Sequence, residues 1–138
     1  MRRIQFELDG VIAEAELFED KAPKTCARLW AVLPIEDRAL QTRWSGEAWR
    51  TEKNYPLQVG EVENPRGVLA AGDIIYYDDP KNDLFKVGVA YGEAKWRDLR
   101  ETHPVAYIGR IVSNLDAFVK ASERCLYEGA KTVRITRR

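Results

Sequence analysis

The sequence has few of the residues that bind metals or form covalent cross-links. Among its 138 residues there are two cysteines and one histidine, and the cysteines are not in a CxxC arrangement. A multi-histidine metal site needs several imidazoles, and a disulfide framework needs paired cysteines in an oxidising compartment, so we expect neither. Cys26 and Cys125 each fit a helical pattern and are interpreted as reduced, buried hydrophobic residues.

Net charge, long apolar runs and phosphate-binding motifs are also lacking. Lysine plus arginine equals aspartate plus glutamate at 22 each, so no overall field attracts nucleic acid or anionic lipid. No apolar run approaches the roughly 20 residues of a membrane-spanning helix, and "MRRIQFELDG" becomes polar too early for a signal peptide. No glycine-rich phosphate motif occurs. These absences predict a cytoplasmic protein with no cofactor, no metal, no nucleic-acid partner and no membrane anchor.

What the chain does contain is typical of a globular protein. Apolar residues make up 45% and charged residues 32% of the sequence, which supports a buried core and excludes disorder. A chain of this length fits one domain, and no linker or repeat divides it. We therefore expect a single domain over residues 1–138.

The chain opens with a hairpin signal. Apolar and polar residues alternate over residues 4–17 and the alternation is interrupted at Asp9-Gly10, a dipeptide that favours tight hairpin turns. "KTVRITR" at residues 131–137 predicts a last strand. Four further alternating segments lie between clusters of Gly, Pro, Asn and Asp, and a fifth follows them. These strand segments are residues 40–50, 56–62, 67–78, 84–92 and 104–112.

Two helices interrupt the strands. The first is predicted to begin at an Asp20 cap and to end at Pro34. The second is predicted to begin at Ser113 or Asn114 and to end at Gly129. A closed barrel with a helix over each open end buries the apolar stripes of both helices and leaves no free sheet edge. We therefore predict a mainly β protein with two helices, built as a closed antiparallel barrel capped by a helix at each end.

Several motifs resemble those of cyclophilins, which are peptidyl-prolyl isomerases. "LFEDKAPKTCARLW" at residues 17–30 resembles their strand–turn–helix junction, and "PRGVLAAG" at residues 65–72 resembles their Pro-Gly-Val-Leu segment. "YIGRIVSNLDAFVKASERC" and "GAKTVRITR" are similar to their second helix and closing strand. "RWSGEAW" followed by "GVLAAGDIIYY" resembles the uncharacterised bacterial and archaeal cyclophilin-like proteins. The resemblance implies a cyclophilin-like barrel.

The resemblance also implies where an isomerase site would lie. Arg43 is the candidate for the catalytic arginine, Phe85 resembles a pocket phenylalanine, and Trp96 and His103 resemble the tryptophan and histidine of the pocket rim. An arginine that favours the loss of amide resonance and an apolar proline pocket are enough for this reaction. The family's glutamine-containing segment has no counterpart in "QTRWSGEAWRT". We therefore predict weak or no isomerase activity, with an active isomerase as the alternative.

The divergent middle of the chain favours a binding pocket. Arginine and aromatic side chains together suit a small planar or carboxylate-bearing molecule or a short peptide. The predicted lining is Arg43, Trp44, Glu47, Trp49, Phe85 and Trp96. Glu47 and Asp73 are also candidates for a pair of acid–base carboxylates. The alternatives are that Arg43 is an exposed or ion-paired strand residue, that Phe85 belongs to the core, and that the tryptophans form a subunit interface.

The segment "GDIIYYDD" predicts assembly. Four apolar or aromatic residues follow one another at residues 74–77, so both faces of this strand need cover. We predict a homo-oligomer, most simply a two-fold dimer, in which Tyr76 or Tyr77 packs against a partner. The alternative cover is a loop of the same chain, residues 95–102.

Overall fold

The computed structural model describes residues 1–96 and 104–138, within which the chain forms ten strands and two α-helices. The strands are β1 Arg3–Leu8, β2 Val11–Leu17, β3 Ile35–Gln41, β4 Gly46–Thr51, β5 Pro65–Arg66, β6 Val68–Leu69, β7 Asp73–Asp79, β8 Leu84–Lys95, β9 Val105–Ile111 and β10 Lys131–Arg137. The helices are α1 Pro23–Val32 and α2 Leu115–Glu128. No helix in these two ranges has the length and apolar character needed to cross a membrane.

Eight of the strands close into an antiparallel barrel. Their order is β2, β1, β10, β3, β4, β8, β7 and β9, and β9 pairs again with β2. Asp9 and Gly10 turn the first hairpin with positive φ angles of 48° and 81°. The short strands β5 and β6 add to β9 and β8. The predicted mainly β closed barrel with two helices is confirmed.

The main core fills the barrel and takes in the apolar faces of both helices. Phe6, Trp49 and Phe118 pack together with ring centroids 5.8 Å or 6.3 Å apart. Cys26 of α1 and Cys125 of α2 are buried and free, as the sequence predicted. Burial raises the pKa of the two thiols to about 12 and about 11, so both are protonated at neutral pH. Their role is therefore packing.

The cap of α1 differs from the sequence prediction. The helix begins at Pro23, and no side chain of its N-cap residue bonds to it. The carboxylate of Glu63 accepts hydrogen bonds from the backbone N–H groups of Lys24 and Thr25, at 3.3 Å and 2.7 Å, and from the Thr25 hydroxyl at 2.7 Å. The predicted Asp20 cap is therefore wrong, because a residue from a later segment supplies the acceptor.

α2 follows Asn114, one of its two predicted caps, but that side chain does not bond to the helix. The Asn114 amide donates to the Ile12 carbonyl at 2.9 Å, and the Ser113 hydroxyl accepts from the Glu14 N–H at 2.9 Å. The polar residues before α2 therefore fix the helix to β2. Gly129 follows the helix as predicted.

Residues 52–64, which we call the strap, link β4 to β5 without joining the sheet. The predicted strand at residues 56–62 is therefore wrong. The physical reason is that side chains take the hydrogen bonds a neighbouring strand would have made. The Tyr76 hydroxyl accepts from the Leu57 N–H at 3.0 Å and donates to the Tyr55 carbonyl at 2.7 Å.

A second, smaller cluster covers the outer face of β7 and β8. Trp96 lies so close to Gly88 that a Cβ built on this glycine would come within 2.8 Å of the indole ring. Tyr77 packs on the same indole with its ring centroid 5.8 Å away. The buried members of the cluster are Ala48, Leu69, Ile75, Tyr77, Ala90, Ala94, Trp96 and Val105.

Both tyrosines that were predicted to meet a partner subunit are buried within the chain. Tyr76 is 2% exposed in the main core and Tyr77 is 7% exposed in the second cluster. Trp96, from the alternative cover loop, supplies part of the cover, while residues 97–102 of that loop lie outside the described residues. The cover therefore does not require another chain, and the homo-oligomer stays a prediction.

Candidate functional site

The candidate site begins at the tight turn between β3 and β4. The Thr42 N–H and hydroxyl both donate to the Ala48 carbonyl, at 3.0 Å and 3.1 Å, and the Ser45 N–H donates to the Thr42 carbonyl at 2.7 Å. These bonds form a single helical turn over Arg43–Ser45. The turn leaves the Arg43 and Trp44 side chains exposed, with Trp44 at 45%.

Opposite this turn, β8 carries a bulge. Gly46 pairs with Ala94, whereas Ala48 pairs with Ala90. Residues 91–93 of β8 therefore face the single residue Glu47 of β4. Bulges of this kind bend a strand and redirect its side chains, and they occur next to active sites more often than elsewhere in sheets.

The Glu47 carboxylate lies against the backbone of Gly92 in this bulge. A Cβ built on Gly92 would lie 2.3 Å from Glu47 Oε2 and 2.6 Å from its Cδ. A side chain at position 92 would therefore displace the Glu47 carboxylate, which is the far end of a flexible side chain. Glu47 itself is half-buried.

The charges of Arg43 and Glu47 both influence the pKa of the buried Tyr91. Burial raises the pKa of Tyr91; its hydrogen bond with Gln41 and the charge of Arg43 oppose this rise, while the charge of Glu47 adds to it. Among residues 1–96 and 104–138, neither the Arg43 nor the Glu47 side chain forms a hydrogen bond or an ion pair.

Helix α2 supports the floor of the site. The Tyr91 hydroxyl donates to Gln41 Oε1 at 2.8 Å, and Gln41 Nε2 donates to the Ser122 carbonyl at 3.2 Å. The Trp49 indole N–H donates to Ser122 Oγ at 3.0 Å. This chain of bonds ties β3, β4 and β8 to α2, so the surface above it is built on rigid elements.

A cleft of about 200 Å³ opens beside the turn and the bulge. Its lining residues are Ser45, Gly46, Glu93, Ala94 and Lys95. Pockets for drug-sized ligands span roughly 300–1,000 Å³, so this cleft suits a smaller molecule.

Three of the predicted site residues lie on one turn and the start of the next strand, and the others lie elsewhere. Arg43, Trp44 and Glu47 share the β3–β4 turn and the strand that follows it. Trp49 is 0% exposed in the main core, which gives it a packing role. Trp96 is 3% exposed in the second cluster.

Phe85, Asp73 and His103 do not join the three residues at the turn. Phe85 lies near the other end of β8 and packs against the main core. The Asp73 carboxylate accepts from the Tyr107 hydroxyl and the Ala70 N–H, both at 2.8 Å, so its oxygens have partners of their own. His103 lies outside the described residues. Within the described part of the chain, no group of three His, Cys, Asp or Glu residues could hold a metal ion.

Sequence reasoning missed the residues that support the site, namely Gln41, Tyr91 and Gly92. A glycine inside a strand pattern indicates a bulge or a close backbone approach, and "VAYGEAK" carries that signal at Gly92. Gln41 and Tyr91 are 50 residues apart, and their contact depends on the barrel. No pattern in the sequence identifies it.

Comparisons with known proteins identify a family and a fold. The family described as "Protein of unknown function (DUF3830)" matches residues 4–137, whereas no curated protein matches the chain. The structure of McbB in complex with tryptophan has a TM-score of 0.79 at 22% identity, over 98% of this chain and 44% of McbB. The solution structure of the hypothetical protein AF2241 from Archaeoglobus fulgidus has a TM-score of 0.58 at 22% identity, over 99% and 95%.

At 22% identity, the two solved structures show that this chain shares their fold, but they do not show that it shares their function. The chain spans less than half the length of McbB. None of these descriptions names a cyclophilin, so the cyclophilin resemblance stays a prediction.

Proposed function

Because the chain belongs to the DUF3830 family, whose description assigns no function, we propose a function from the geometry of the protein itself. The protein binds a small molecule between the β3–β4 turn and the β8 bulge. The observation that carries this proposal is the composition of the turn: Arg43 and Trp44 are exposed on it, and neither Arg43 nor Glu47, at the start of β4, has a hydrogen bond or ion pair among the described residues.

The chemistry of the three side chains suits a small planar acid. A guanidinium presents a planar fork of donors that matches a carboxylate with two parallel hydrogen bonds. An exposed indole offers a face on which a flat group stacks. Since the adjacent cleft is small, the ligand is a metabolite-sized molecule.

The McbB structure supports small-molecule binding on this fold. That protein is described in complex with tryptophan, and its chain shares the barrel with this one at a TM-score of 0.79. This similarity supports only the ability of the fold to hold a small molecule. It does not support a particular activity, because the identity is 22% and the match covers 44% of McbB.

A short peptide is the alternative ligand and prolyl isomerisation the alternative activity, and both rest on the cyclophilin resemblance. The aromatic residues that the resemblance assigns to an isomerase pocket, Phe85 and Trp96, pack against different clusters. We therefore expect weak or no catalysis in a protease-coupled assay on Xaa-Pro peptides. Clear catalysis that Arg43→Ala abolishes would establish the enzyme instead.

Tryptophan emission provides the direct test of small-molecule binding. Trp49 and Trp96 are nearly fully buried, and the half-buried Trp30 on α1 lies under the guanidinium groups of Arg2 and Arg137. Trp44 is 45% exposed at the site, so a ligand there should change mainly the Trp44 emission. Titration with small aromatic carboxylates should give a saturable change that Trp44→Phe removes. Arg43→Gln should weaken binding about tenfold, the loss of one charge-assisted contact.

The matched control is Arg134→Gln, which removes an exposed arginine from the barrel wall, where it pairs with Glu36 at 3.2 Å. This variant should bind as the wild type does. Equal weakening in Arg43→Gln and Arg134→Gln, or no saturable change in the wild type, would overturn the proposed site.

A further inference from the structure

The strap is fastened to the barrel by side chains and not by strand pairing. The closed order of the eight barrel strands does not include it, so removing it breaks no pairing between them. Among the described residues, one backbone–backbone hydrogen bond joins residues 53–63 to a strand, from the Tyr55 N–H to the Phe85 carbonyl at 2.8 Å. Leu57 and Val59 are the buried apolar residues of the strap in the main core. The barrel can therefore stay closed when the strap leaves it.

Two opposite charges of the barrel clamp the first two residues of the strap. The carboxylate of Asp37 on β3 accepts from the backbone N–H groups of Glu52 and Lys53, at 3.1 Å each. The ammonium of Lys86 on β8 donates to the backbone carbonyls of the same two residues, at 2.5 Å and 3.4 Å. One acidic and one basic side chain thus hold both the donors and the acceptors of these residues.

Further side-chain contacts follow along the strap at short intervals. After the clamp comes the Tyr76 hydroxyl, which bonds to Tyr55 and Leu57. Arg28 of α1 donates to the carbonyls of Leu57, at 3.1 Å, and Gln58. Near the end of the strap, the Glu63 carboxylate caps α1. Because few residues separate one contact from the next, we expect these contacts to be released together.

Closing the strap takes charged groups out of water. Asp37 is 9% exposed and Lys86 is 3% exposed. Burial and the charge of Arg50 lower the pKa of Lys86, while the charges of Asp37 and Glu52 oppose this. The burial of a charge is costly even when it is hydrogen-bonded, and the charge regains its hydration when it is uncovered. Opening the strap should therefore cost less free energy than opening the barrel, whose contacts are apolar.

We propose that the strap is a lid that opens as one unit while the barrel stays closed, exposing Leu57, Val59 and the part of the main core against which they pack. This device is separate from the small-molecule site, because the lid bonds to β8 at Phe85 whereas the bulge lies at residues 91–93. Since Glu63 leaves with the strap, the first turn of α1 loses its cap whenever the lid opens.

Hydrogen exchange in urea below the unfolding transition tests this lid. The strap reporters are the N–H groups of Lys53, Leu57 and Thr25, which bond to Asp37, Tyr76 and Glu63. Thr25 belongs to α1, but its N–H lies in the first turn and has no partner within the helix. All three should share one opening equilibrium and exchange roughly a hundredfold faster than the amides of β8. Their exchange should depend little on urea, because opening exposes little surface.

Phe118→Leu separates opening of the lid from unfolding of the barrel. Phe118 of α2 packs on Phe6 and Trp49, so the substitution weakens the barrel whether the lid is closed or open. The amides of β8 should exchange about tenfold faster, while the three strap reporters should be unchanged. Tyr127→Phe, at an exposed side chain of the same helix, is the matched control and should change neither group of amides.

Either of two results would overturn the lid. If the strap reporters accelerate with the barrel amides in Phe118→Leu, or share their urea dependence, the strap opens only when the whole protein unfolds. If Lys53, Leu57 and Thr25 have three different opening equilibria, the strap does not move as one unit. Should Phe118→Leu fail to fold, the urea dependence measured on the wild type decides between local and global opening.

Discussion

The strap and the candidate site use similar side chains for opposite purposes. In the strap region, the buried carboxylate of Asp37 accepts hydrogen bonds from the backbone N–H groups of Arg38, Glu52 and Lys53 and from the Tyr55 hydroxyl, at 2.6 Å to 3.3 Å. No acceptor capacity is left for a ligand. This carboxylate holds the start of the strap against β3.

At the candidate site, the carboxylate of Glu47 has no hydrogen-bond partner among the described residues. The two carboxylates differ in whether the chain supplies them with hydrogen-bond donors. Where donors are supplied, substitution should reduce stability; where they are missing, substitution should alter binding alone.

The largest effect is expected for Asp37→Ala. This change leaves the Tyr55 hydroxyl and several backbone N–H groups without an acceptor, and unsatisfied buried polar groups are costly, so the free energy of unfolding should fall by about 3 kcal/mol. Urea unfolding measures it. The control is Glu36→Ala, the exposed neighbour of Asp37, which should change the value by less than about 0.5 kcal/mol.

Equal losses in these two variants would show that the Asp37 hydrogen bonds do not hold the strap. The proposed contrast between a structural carboxylate in the strap region and a binding carboxylate at the candidate site would then be contradicted.

A smaller effect is expected for Tyr76→Phe. The hydroxyl bonds to both Leu57 and Tyr55, so its loss leaves a buried strap N–H unsatisfied and should lower the free energy of unfolding by about 2 kcal/mol. Tyr127→Phe, at a side chain that is 83% exposed, is the matched control and should be neutral. Hydrogen exchange should also be faster at Leu57 in Tyr76→Phe. Unchanged exchange there would contradict this role of the hydroxyl.

Glu63→Gln should have an effect that depends on pH. Burial alone would raise the pKa of Glu63, but its hydrogen bonds with Thr25 and Lys24 outweigh this and lower it. A carboxyl group with a lowered pKa in the folded state stabilises the protein above its unfolded value, here 4.5, and that contribution is lost as the pH falls through the folded value. At neutral pH the variant should lose about 1 kcal/mol, as for other helix caps.

Thermal unfolding over a range of pH checks this expectation. The melting temperatures of Glu63→Gln and the wild type should converge in acid, since a protonated Glu63 resembles a glutamine. Glu61→Gln is the control, because Glu61 is exposed and pairs only loosely with Lys24 at 3.8 Å. A constant difference at every pH would mean that the charge of Glu63 does not contribute.

The sequence was sufficient for the barrel because the barrel depends on local patterns. Alternation of apolar residues, the Asp9-Gly10 turn and the apolar stripes of the helices each lie within a few residues, and each agrees with the structure. The Glu63 cap of α1 could not be predicted in this way, since Glu63 is 38 residues away from Thr25. The strap was mistaken for a strand because its partners are side chains.

The candidate site was predicted in part for a related reason. Arg43, Trp44 and Glu47 are close in sequence, so any fold of this turn keeps them together. Trp49 was assigned to the pocket because the sequence does not show that both faces of β4 are covered: Ala48 is buried in the second cluster and Trp49 in the main core. The hydrogen bond between Gln41 and Tyr91 forms only when the barrel folds, so it could not be predicted from the sequence.

The smallest effect on stability is expected at the candidate site, and it tests the contrast between Glu47 and Asp37 directly. Glu47→Gln removes a charge that has no partner among the described residues, so the free energy of unfolding of the ligand-free protein should change by less than about 0.5 kcal/mol. A ligand at a hundred times its dissociation constant should stabilise the wild type by about 2.7 kcal/mol through mass action.

A small aromatic carboxylate at that concentration should therefore raise the melting temperature of the wild type and raise that of Arg43→Gln much less. Asp37→Ala, if it folds, should show the reverse pattern. Its melting temperature without ligand should be lowered, but the ligand should raise it as much as it raises that of the wild type, because Asp37 takes no part in the proposed site. Should Glu47→Gln lose stability without ligand as Asp37→Ala does, Glu47 is a structural residue. The free carboxylate would then no longer distinguish the two regions, and the ligand would have to be sought on Arg43 and Trp44 alone.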